Sequence, residues 1–374
     1  MTPTPQAAVD GLPGRLGDPA MDLHGDPRSD PRMVAALAPF QLDRAAPPPP
    51  MDSAAPRQAQ LEFLGGLEGA FGSVFAALLD GAPDIEGVAE SRVTITGADG
   101  NDIVLFISRP AATPTTEPLP GVLHIHGGGM VFLSATGPEY VRFRNAIASA
   151  GAVVIGVEYR NGAGVLGPHP FPAGLDDCGT ALRWVQENRD QLGISTLTLA
   201  GESGGANLAL ATTLKAKRDG YLDAIDGVYA MVPYISGLYG SAEARRAAEL
   251  PSLVENDGYL LSCALMAVMA TVYDPTASHA ADPLCWPYHA TVEELRGLPP
   301  HFISVNELDP VRDEGLAYLG KLVEAGVPTG TRTVGGTCHA GDIIFPIQLP
   351  EVYAGTITSI RDFIHGLEGE RGVR

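Results

Sequence analysis

The sequence is short of positive charge, which excludes one class of partner. Lys and Arg number 24 against 44 Asp and Glu, and the formal net charge at pH 7 is −20 over 374 residues. Binding to a phosphate backbone needs clustered Lys and Arg, and no basic run occurs, so no nucleic-acid partner is expected. The acidity is interpreted as a solvated surface and gives no information about a substrate.

Cysteine is also scarce. The four cysteines (Cys178, Cys263, Cys285 and Cys338) have neither CxxC spacing nor the density of a disulfide scaffold. Such residues are typical of free thiols in a reducing compartment, so neither a disulfide framework nor a metal site is expected. No motif for an organic cofactor occurs either.

Targeting and membrane signals are missing as well. The first 21 residues lack a positively charged region followed by an apolar one, so they do not predict a signal peptide. No uninterrupted apolar run is long enough to span a bilayer. The sequence therefore predicts a cytoplasmic chain with no membrane span.

What the chain does have is enough apolar residues, 45% of the total, for a sizeable core. Residues 1–56 are rich in Pro, Gly, Asp and Ala and predict an extended N-terminal arm with one short helix near 31–38. Residues 57–88 carry apolar side chains near helical spacing and predict a cap helix. Residues 89–374 predict the catalytic domain, with a cap insertion at about 233–299.

Short apolar strands alternate with helices through residues 89–374, which predicts an α/β fold. The central sheet should be mostly parallel and covered by helices on both faces. The alternation pauses at about residue 233 and resumes near 299. The two segments outside this alternation are expected to pack together as a helical cap over the strand ends.

The stretch Gly201-Glu202-Ser203-Gly204-Gly205 reads as a strand end, a Gly-x-Ser-x-Gly turn and a helix start. Such a turn would hold the hydroxyl of Ser203 above the C-terminal edge of the sheet, as a nucleophile requires. The motif alone is weak, because Gly and Ser are common. It gains weight from partners elsewhere in the chain.

The first partner is His126-Gly127-Gly128-Gly129, directly after an apolar strand. Three glycines leave backbone N–H groups unobstructed, so the loop can bind a developing oxyanion. A flexible turn or a phosphate-binding loop is the alternative, but neither a following Lys nor GxGxxG spacing occurs. His126 is expected to brace the loop.

The other two partners come late in the chain. Asp309 follows a predicted strand, where a histidine-orienting carboxylate belongs; a helix cap is the alternative reading. Asp313 and Glu314 are interpreted as first-turn residues of the next helix. Of nine histidines, His339 lies in the loop expected for the general base, and the order Ser203, Asp309, His339 fits the α/β-hydrolase arrangement. Cys338, beside it, is interpreted as a packed thiol and not as a nucleophile.

Together these motifs make the chain resemble the hormone-sensitive-lipase family of α/β-hydrolase esterases, over about residues 90–370. Three further stretches, at 223–230, 250–259 and 294–300, narrow the resemblance to one bacterial branch. The resemblance implies an oxyanion hole from the N–H groups of Gly128, Gly129 and Gly204. Glu202 and Gly204 replace the family's commoner Asp and Ala, and Met130 stands where many members carry an aromatic residue. Because of these departures, the resemblance does not determine the shape of the acyl pocket.

The expected activity is hydrolysis of a small-molecule carboxylic ester, short-chain or lactone, through an acyl-serine. An amidase or deacetylase on the same triad is an alternative, as is a non-catalytic binding protein on the same fold. The role of Glu202 is open between a solvated turn residue and a brace near His339. Whether the chain forms a homo-oligomer is also open.

Overall fold

The computed structural model describes residues 11–112 and 117–371. Strands within these residues are β1 (Val88–Thr96), β2 (Asp102–Pro110), β3 (Leu119–Ile125), β4 (Val153–Glu158), β5 (Ile194–Glu202), β6 (Gly227–Met231), β7 (His301–Asn306) and β8 (Thr329–Val334).

The α-helices within the same residues are α1 (Gly14–Gly17), α2 (Pro31–Leu37), α3 (Arg57–Leu78), α4 (Pro138–Ser149), α5 (Ala173–Glu187), α6 (Arg189–Leu192), α7 (Gly204–Asp219), α8 (Glu243–Glu249), α9 (Ser252–Glu255), α10 (Cys263–Tyr273), α11 (Val292–Leu295), α12 (Arg312–Glu324), α13 (Gly341–Ile344) and α14 (Pro350–Arg371). Short 3₁₀ turns cover Ala38–Phe40, Leu222–Ala224 and Pro287–His289.

The strands of the described residues form one sheet in the order β1-β2-β4-β3-β5-β6-β7-β8. β2 pairs antiparallel with both β1 and β4, and every pair from β4 to β8 is parallel. Parallel strands end at the same edge of a sheet. The segments that follow β3, β5, β7 and β8, which carry the predicted site residues, therefore meet at one edge.

Both faces of the sheet are covered, as the strand pattern predicts. Leu123 and Leu199 belong to a hydrophobic cluster with residues of α5 and α7. Their neighbours Val122 and Ala200 belong to a second cluster with residues of α4 and α14. Successive side chains of a strand point to opposite faces, so apolar residues at every position are what a sheet between two helical layers requires.

The two segments outside the strand–helix alternation contact each other at the same edge. Helix α3 packs against α10, which belongs to the insertion between β6 and β7. Helix α10 begins at Cys263, and Leu260, shortly before it, has a non-helical positive φ of 65°. Ser262 then caps the helix by accepting a hydrogen bond from the N–H of Leu265 at 3.2 Å. The division of the chain into arm, cap and catalytic domain stays a prediction.

Helix α3 is an exception to the expectation that no apolar segment is long enough to span a membrane. Among the described residues it is the one helix long and apolar enough to cross a membrane by length and composition, and 17% of its apolar window is buried. The helix carries Glu62 and Glu68. The carboxylate of Glu68 accepts hydrogen bonds from the N–H groups of Leu133 and Val165 at 2.7 and 2.8 Å, which anchors the helix to the loops beside the sheet edge.

The N-terminal arm, predicted as extended, is folded against the rest of the chain over its described residues, 11–56. Besides the expected helix α2, it contains α1 and a 3₁₀ turn. Leu23, Met33 and Leu37 are fully buried in a third hydrophobic cluster that includes residues after β7 and β8. These apolar residues of the arm are thus buried by contacts with distant parts of the chain. Residues 1–10 lie outside the described part of the chain.

Candidate active site

Ser203 lies on a sharp turn between β5 and α7, with φ 55° and ψ −118°. A positive φ at a residue with a side chain is costly and persists only where its surroundings enforce it. The flanking glycines allow the approach: a Cβ on Gly205 would lie 1.9 Å from the carbonyl oxygen of Ile125, and one on Gly201 would lie 2.4 Å from the carbonyl carbon of Gly205. The backbone therefore fixes the position of the serine.

The loop formed by residues 126–129, called the HGGG loop, lies directly against the Ser203 turn. Gly128 and Gly129 have φ values of 95° and 59°. A Cβ on Gly204 would lie 2.7 Å from the nitrogen of Gly129, so the first residue of α7 touches the loop. Among the described residues, the backbone N–H groups of Gly128, Gly129 and Gly204 have no hydrogen-bond acceptor. Unpaired donors beside one serine are what an oxyanion hole requires.

Glu202 fastens the HGGG loop to the nucleophile turn. Its side chain is 2% exposed, which excludes the interpretation of Glu202 as a solvated turn residue. One carboxylate oxygen accepts a hydrogen bond from the N–H of Gly127 at 2.7 Å, and the other lies 2.9 Å from Nε2 of His124. The contact of Glu202 is thus with the HGGG loop and not with His339. His124 can reach Glu202 because β3 and β5 are adjacent strands.

His126 braces the same loop, as expected. Burial lowers the pKa of this imidazole to about 3, so the ring is neutral. Its Nδ1 lies 2.9 Å from the carbonyl oxygen of Gly127, and the ring stacks on Tyr159 at a centroid distance of 4.3 Å. The hydroxyl of Tyr159 donates to the carbonyl oxygens of His126 and Gly127 at 2.9 and 3.1 Å. These contacts satisfy the carbonyls of the loop.

The acid loop, residues 307–313, follows β7 and presents Asp309. This side chain is fully buried, and its Oδ2 lies 2.8 Å from Nδ1 of His339. Its Oδ1 accepts a hydrogen bond from the N–H of Val311 at 3.0 Å, and its backbone carbonyl accepts one from the amide of Asn256 at 3.1 Å. Asn256 lies in the insertion, and no sequence motif connects it to the acid loop.

The base loop, residues 335–342, follows β8 and carries His339, which is 6% exposed. Asn306, at the end of β7, donates from its amide to the carbonyl of Cys338 at 2.8 Å. Cys338 itself is fully buried, and burial raises the pKa of its thiol well above the usual range. A neutral, buried thiol agrees with the packed-thiol interpretation.

Asp313 and Glu314 lie in the first turn of α12, as predicted, but both bind the insertion. The carboxylate of Asp313 accepts from the N–H of Ser252 at 2.7 Å. Glu314 is fully buried, and one of its oxygens accepts from the N–H groups of Ile235 and Ser236, both at 2.7 Å. Burial raises the pKa of Glu314 to about 8.

One cavity of about 70 Å³ joins these parts. Ser203, His339, Gly128 and Gly129 line it, and Ser203 and His339 share no hydrogen bond within the described residues. The remaining lining side chains are almost all apolar, and α3 and the insertion contribute Phe71, Phe75, Leu260, Leu261, Met266 and Met269 to them. Catalytic hydrogen bonds are often longer without substrate, so facing one cavity is the relevant geometry.

No group of three or more His, Cys, Asp or Glu side chains suited to a metal ion occurs in the described ranges. The carboxylates of the site are already engaged by protein donors: Glu202 by Gly127, Asp309 by Val311.

Comparison with known proteins shows the family to which the chain belongs. A family model described as alpha/beta hydrolase fold matches residues 122–342. Two curated proteins of Mycobacterium tuberculosis are similar to the chain. Esterase LipI is 30% identical over 74% of this chain and 84% of its own length. Carboxylesterase NlhH is 35% identical over 70% of this chain and 77% of its own length.

A solved structure, titled brefeldin A esterase, a bacterial homologue of human hormone sensitive lipase, is similar over nearly the whole chain. It is 45% identical, covers 96% of this chain and 99% of its own, and superposes with a TM-score of 0.91. The predicted fold, the resemblance to the hormone-sensitive-lipase family and the narrower resemblance to the brefeldin A esterase branch are thereby confirmed.

Proposed function

Since the chain belongs to the alpha/beta hydrolase fold family and is a carboxylesterase, we propose that it hydrolyses short-chain or lactone esters through an acyl-serine intermediate. In this proposal Ser203 is the nucleophile, His339 the general base and acid, and Asp309 the residue that orients His339. The N–H groups of Gly128, Gly129 and Gly204 form the oxyanion hole.

The observation that carries the proposal is the buried contact of 2.8 Å between Asp309 and Nδ1 of His339, in a cavity that Ser203 shares. The carboxylate holds the proton on Nδ1, which leaves Nε2 as the base. Nε2 takes the proton of Ser203 as Oγ bonds to the carbonyl carbon, and the carbonyl oxygen becomes an oxyanion. The imidazolium then gives the proton to the leaving alcohol, and water repeats the sequence on the acyl-serine.

Unpaired backbone donors next to Ser203 support the oxyanion step. They are held in place before any substrate arrives, by the positive φ values of two glycines and the anchor from Glu202 to Gly127. Preorganised donors of this kind need no rearrangement when charge develops, which is why one such donor is worth about 10²–10³ in kcat.

The lining of the cavity supports the substrate class. Its small volume and apolar walls favour a short acyl or small cyclic ester over a long chain. We propose that α3 and the insertion act as the cap that sets this selectivity. Four buried free thiols within the described residues support a cytoplasmic location.

The decisive experiment replaces the nucleophile. Ser203→Ala should lower kcat on p-nitrophenyl acetate by about 10⁶, and an organophosphonate should add its mass to Ser203 in the wild-type chain only. Ser73→Ala is the matched control, because this serine is exposed on α3 and bonds to the carbonyl of Gly69. Turnover retained by Ser203→Ala would refute the proposal, and a p-nitrophenyl chain-length series with a matched lactone would locate the substrate.

Esters must also be compared with amides on the same scaffold. An ester and an anilide with the same acyl group should be hydrolysed at very different rates, the ester faster. Faster turnover of the anilide would establish the amidase alternative. Absence of both turnover and labelling of Ser203 would point to a binding protein.

A further inference from the structure

The N-terminal arm contacts both loops that hold the proposed acid and base. These contacts join residues more than 200 positions apart in the chain, and they reach the acid loop by one path and the base loop by another. No sequence motif predicts either path. The first path ends at the backbone carbonyl of Asp309, and the second ends at the backbone N–H of Cys338, next to His339.

The path to the acid loop begins at Arg28. Its guanidinium donates to Asp26 at 2.7 Å, to Glu255, and to the side-chain oxygen of Asn256 at 3.2 Å. Asn256 has its oxygen fixed by this bond, and its NH₂ group donates to the backbone carbonyls of Glu307 and Asp309 at 3.2 and 3.1 Å. Because an amide is planar, orienting its oxygen also orients its donors.

Burial makes this path rigid. Asn256 is fully buried, and Asp26 and Glu255 are each 3% exposed. Burial would raise the pKa of Glu255, but hydrogen bonds from Arg312 and Arg28 outweigh it and lower the pKa below the usual value. The carboxylate is therefore ionised, and its bonds to the two arginines are charge-assisted.

Arg312 ties the same cluster to the acid loop a second time. It binds Glu255 through its two terminal guanidinium nitrogens, at 3.0 and 2.7 Å, and donates to the carbonyl of Glu307 at 3.0 Å. The acid loop is thus held from two sides, and Arg28 is the contribution of the arm.

The path to the base loop runs through α2. The N–H of Asp30, the residue before α2, donates to the carbonyl of Gly336 at 3.0 Å. The N–H of Cys338, the neighbour of His339, donates to the sulfur of Met33 at 3.3 Å. Met33 also packs with Leu308 and Cys338 in the third hydrophobic cluster, where residues of the arm, the acid loop and the base loop meet.

We propose that the N-terminal arm positions the acid and the base, with Arg28 acting on Asp309 through Asn256 and Met33 acting on His339 through the backbone of Cys338. Arg28 and Met33 are positioning residues in this proposal, since neither lines the cavity. It rests on the roles assigned to Asp309 and His339 under the proposed function. Removing Arg28 would free the Asn256 amide to turn and let the acid loop shift.

A double-mutant cycle on kcat tests the Arg28 path. Arg28→Met should lower kcat by about 3- to 10-fold with KM unchanged, since small misplacements of a catalytic group reduce rate more than binding. In an Asp309→Asn background, which has lost the carboxylate that Arg28 positions, Arg28→Met should cause no further loss. A purely structural arm would give the same fold-loss in both backgrounds.

Arg32→Met is the matched control, because Arg32 lies on the same arm but binds Asp30 and Glu351 at the surface. It should leave kcat within about 2-fold of wild type, since surface ion pairs contribute little. If Arg28→Met does not fold, Arg28→Lys keeps the charge but not the fork that reaches several acceptors, and should show a smaller loss with the same dependence on Asp309.

Met33→Leu tests the second path with the volume nearly kept. It should lower kcat with little change in the melting temperature, because only the sulfur acceptor is lost. Multiplicative losses throughout, or a loss in melting temperature alone, would overturn the positioning role. A wild-type chain without Ser203-dependent ester hydrolysis would instead refute the proposed function.

Discussion

Around Ser203 the backbone itself supplies the geometry, whereas around Asp309 and His339 it is supplied by side-chain hydrogen bonds to the backbone of the two loops. The serine turn and the HGGG loop touch through glycines, and a single added Cβ would collide with a carbonyl or an amide nitrogen. The acid and base loops instead depend on Asn256, Asn306 and Arg312.

The difference follows from what each side must do. An oxyanion hole has to be in place before charge develops, so backbone donors on a close-packed turn suit it. A histidine and its carboxylate need one hydrogen bond in the right direction, which loops can provide if their carbonyls are held. The nucleophile side should therefore fail abruptly when altered, and the acid–base side should lose activity by degrees.

Asp309→Asn should have the largest effect on the acid–base side. The introduced amide cannot hold the Nδ1 proton of His339 and favours the wrong tautomer, so kcat should fall by about 10⁴. Asp313→Asn, in the same loop, is the control and should lose far less. Equal losses for the two variants would mean that the loop, and not the carboxylate of Asp309, carries the function.

Gly205→Ala should break the nucleophile side. The new methyl would lie 1.9 Å from the carbonyl oxygen of Ile125, so the turn must move and kcat should fall by at least about 100-fold. Gly320→Ala is the matched control, because a Cβ there meets nothing within 4 Å, and it should gain up to about 1 kcal/mol in stability. A folded Gly205→Ala variant with normal kcat would contradict this account.

Glu202→Ala should lower kcat by about 10- to 100-fold, because it leaves the buried N–H of Gly127 without an acceptor and loosens the HGGG loop. Glu202→Gln keeps an oxygen for that N–H and should recover most of the loss. Steady-state kcat values of the three proteins decide the matter; identical Ala and Gln variants would show that the charge, and not the loop anchor, is what counts.

Glu314 should have the smallest effect on kcat, because it acts on stability and not on the chemistry. Its pKa in the folded chain is about 8, against an ordinary value of 4.5, so the folded state keeps a proton that the unfolded state releases between these values. Stability should therefore fall as pH rises from about 5 to 8, by up to about 1.4 kcal/mol per unit.

Glu314→Gln, which has no proton to lose there, should flatten that dependence in denaturant unfolding at pH 5.5 and 7.5. Parallel profiles for the two proteins would place the titration elsewhere.

The same contrast explains what could be predicted from the sequence. On the nucleophile side the sequence motifs are local, because Gly201, Ser203 and Gly205 are close in the chain and the HGGG loop is one continuous run. Asp309 and His339 could be located because each follows a strand in the expected order. Their mutual distance could not be predicted, since it depends on the register of β7 and β8.

Long-range contacts account for most of what was missed. No motif connects Asn256 or Met33 with its partner, and these partners lie 53 and 305 positions away. The role of Glu202 does not follow from the sequence, because its contact with Gly127 requires knowing that β3 and β5 are neighbours. The composition of the arm predicts an extended segment, because composition alone does not show that Leu23 and Met33 are buried against distant residues.

The small volume of the cavity should affect the turnover rate of bulky esters. Its volume of about 70 Å³ is far below the about 300–1,000 Å³ of sites that hold drug-sized ligands. An ester with a bulky alcohol can enter only after wall side chains change rotamer, and Met266 and Met269, unbranched and flexible, are the ones best able to do so. For such substrates, admission and product escape would limit the rate, so viscosity should slow bulky esters more than acetates.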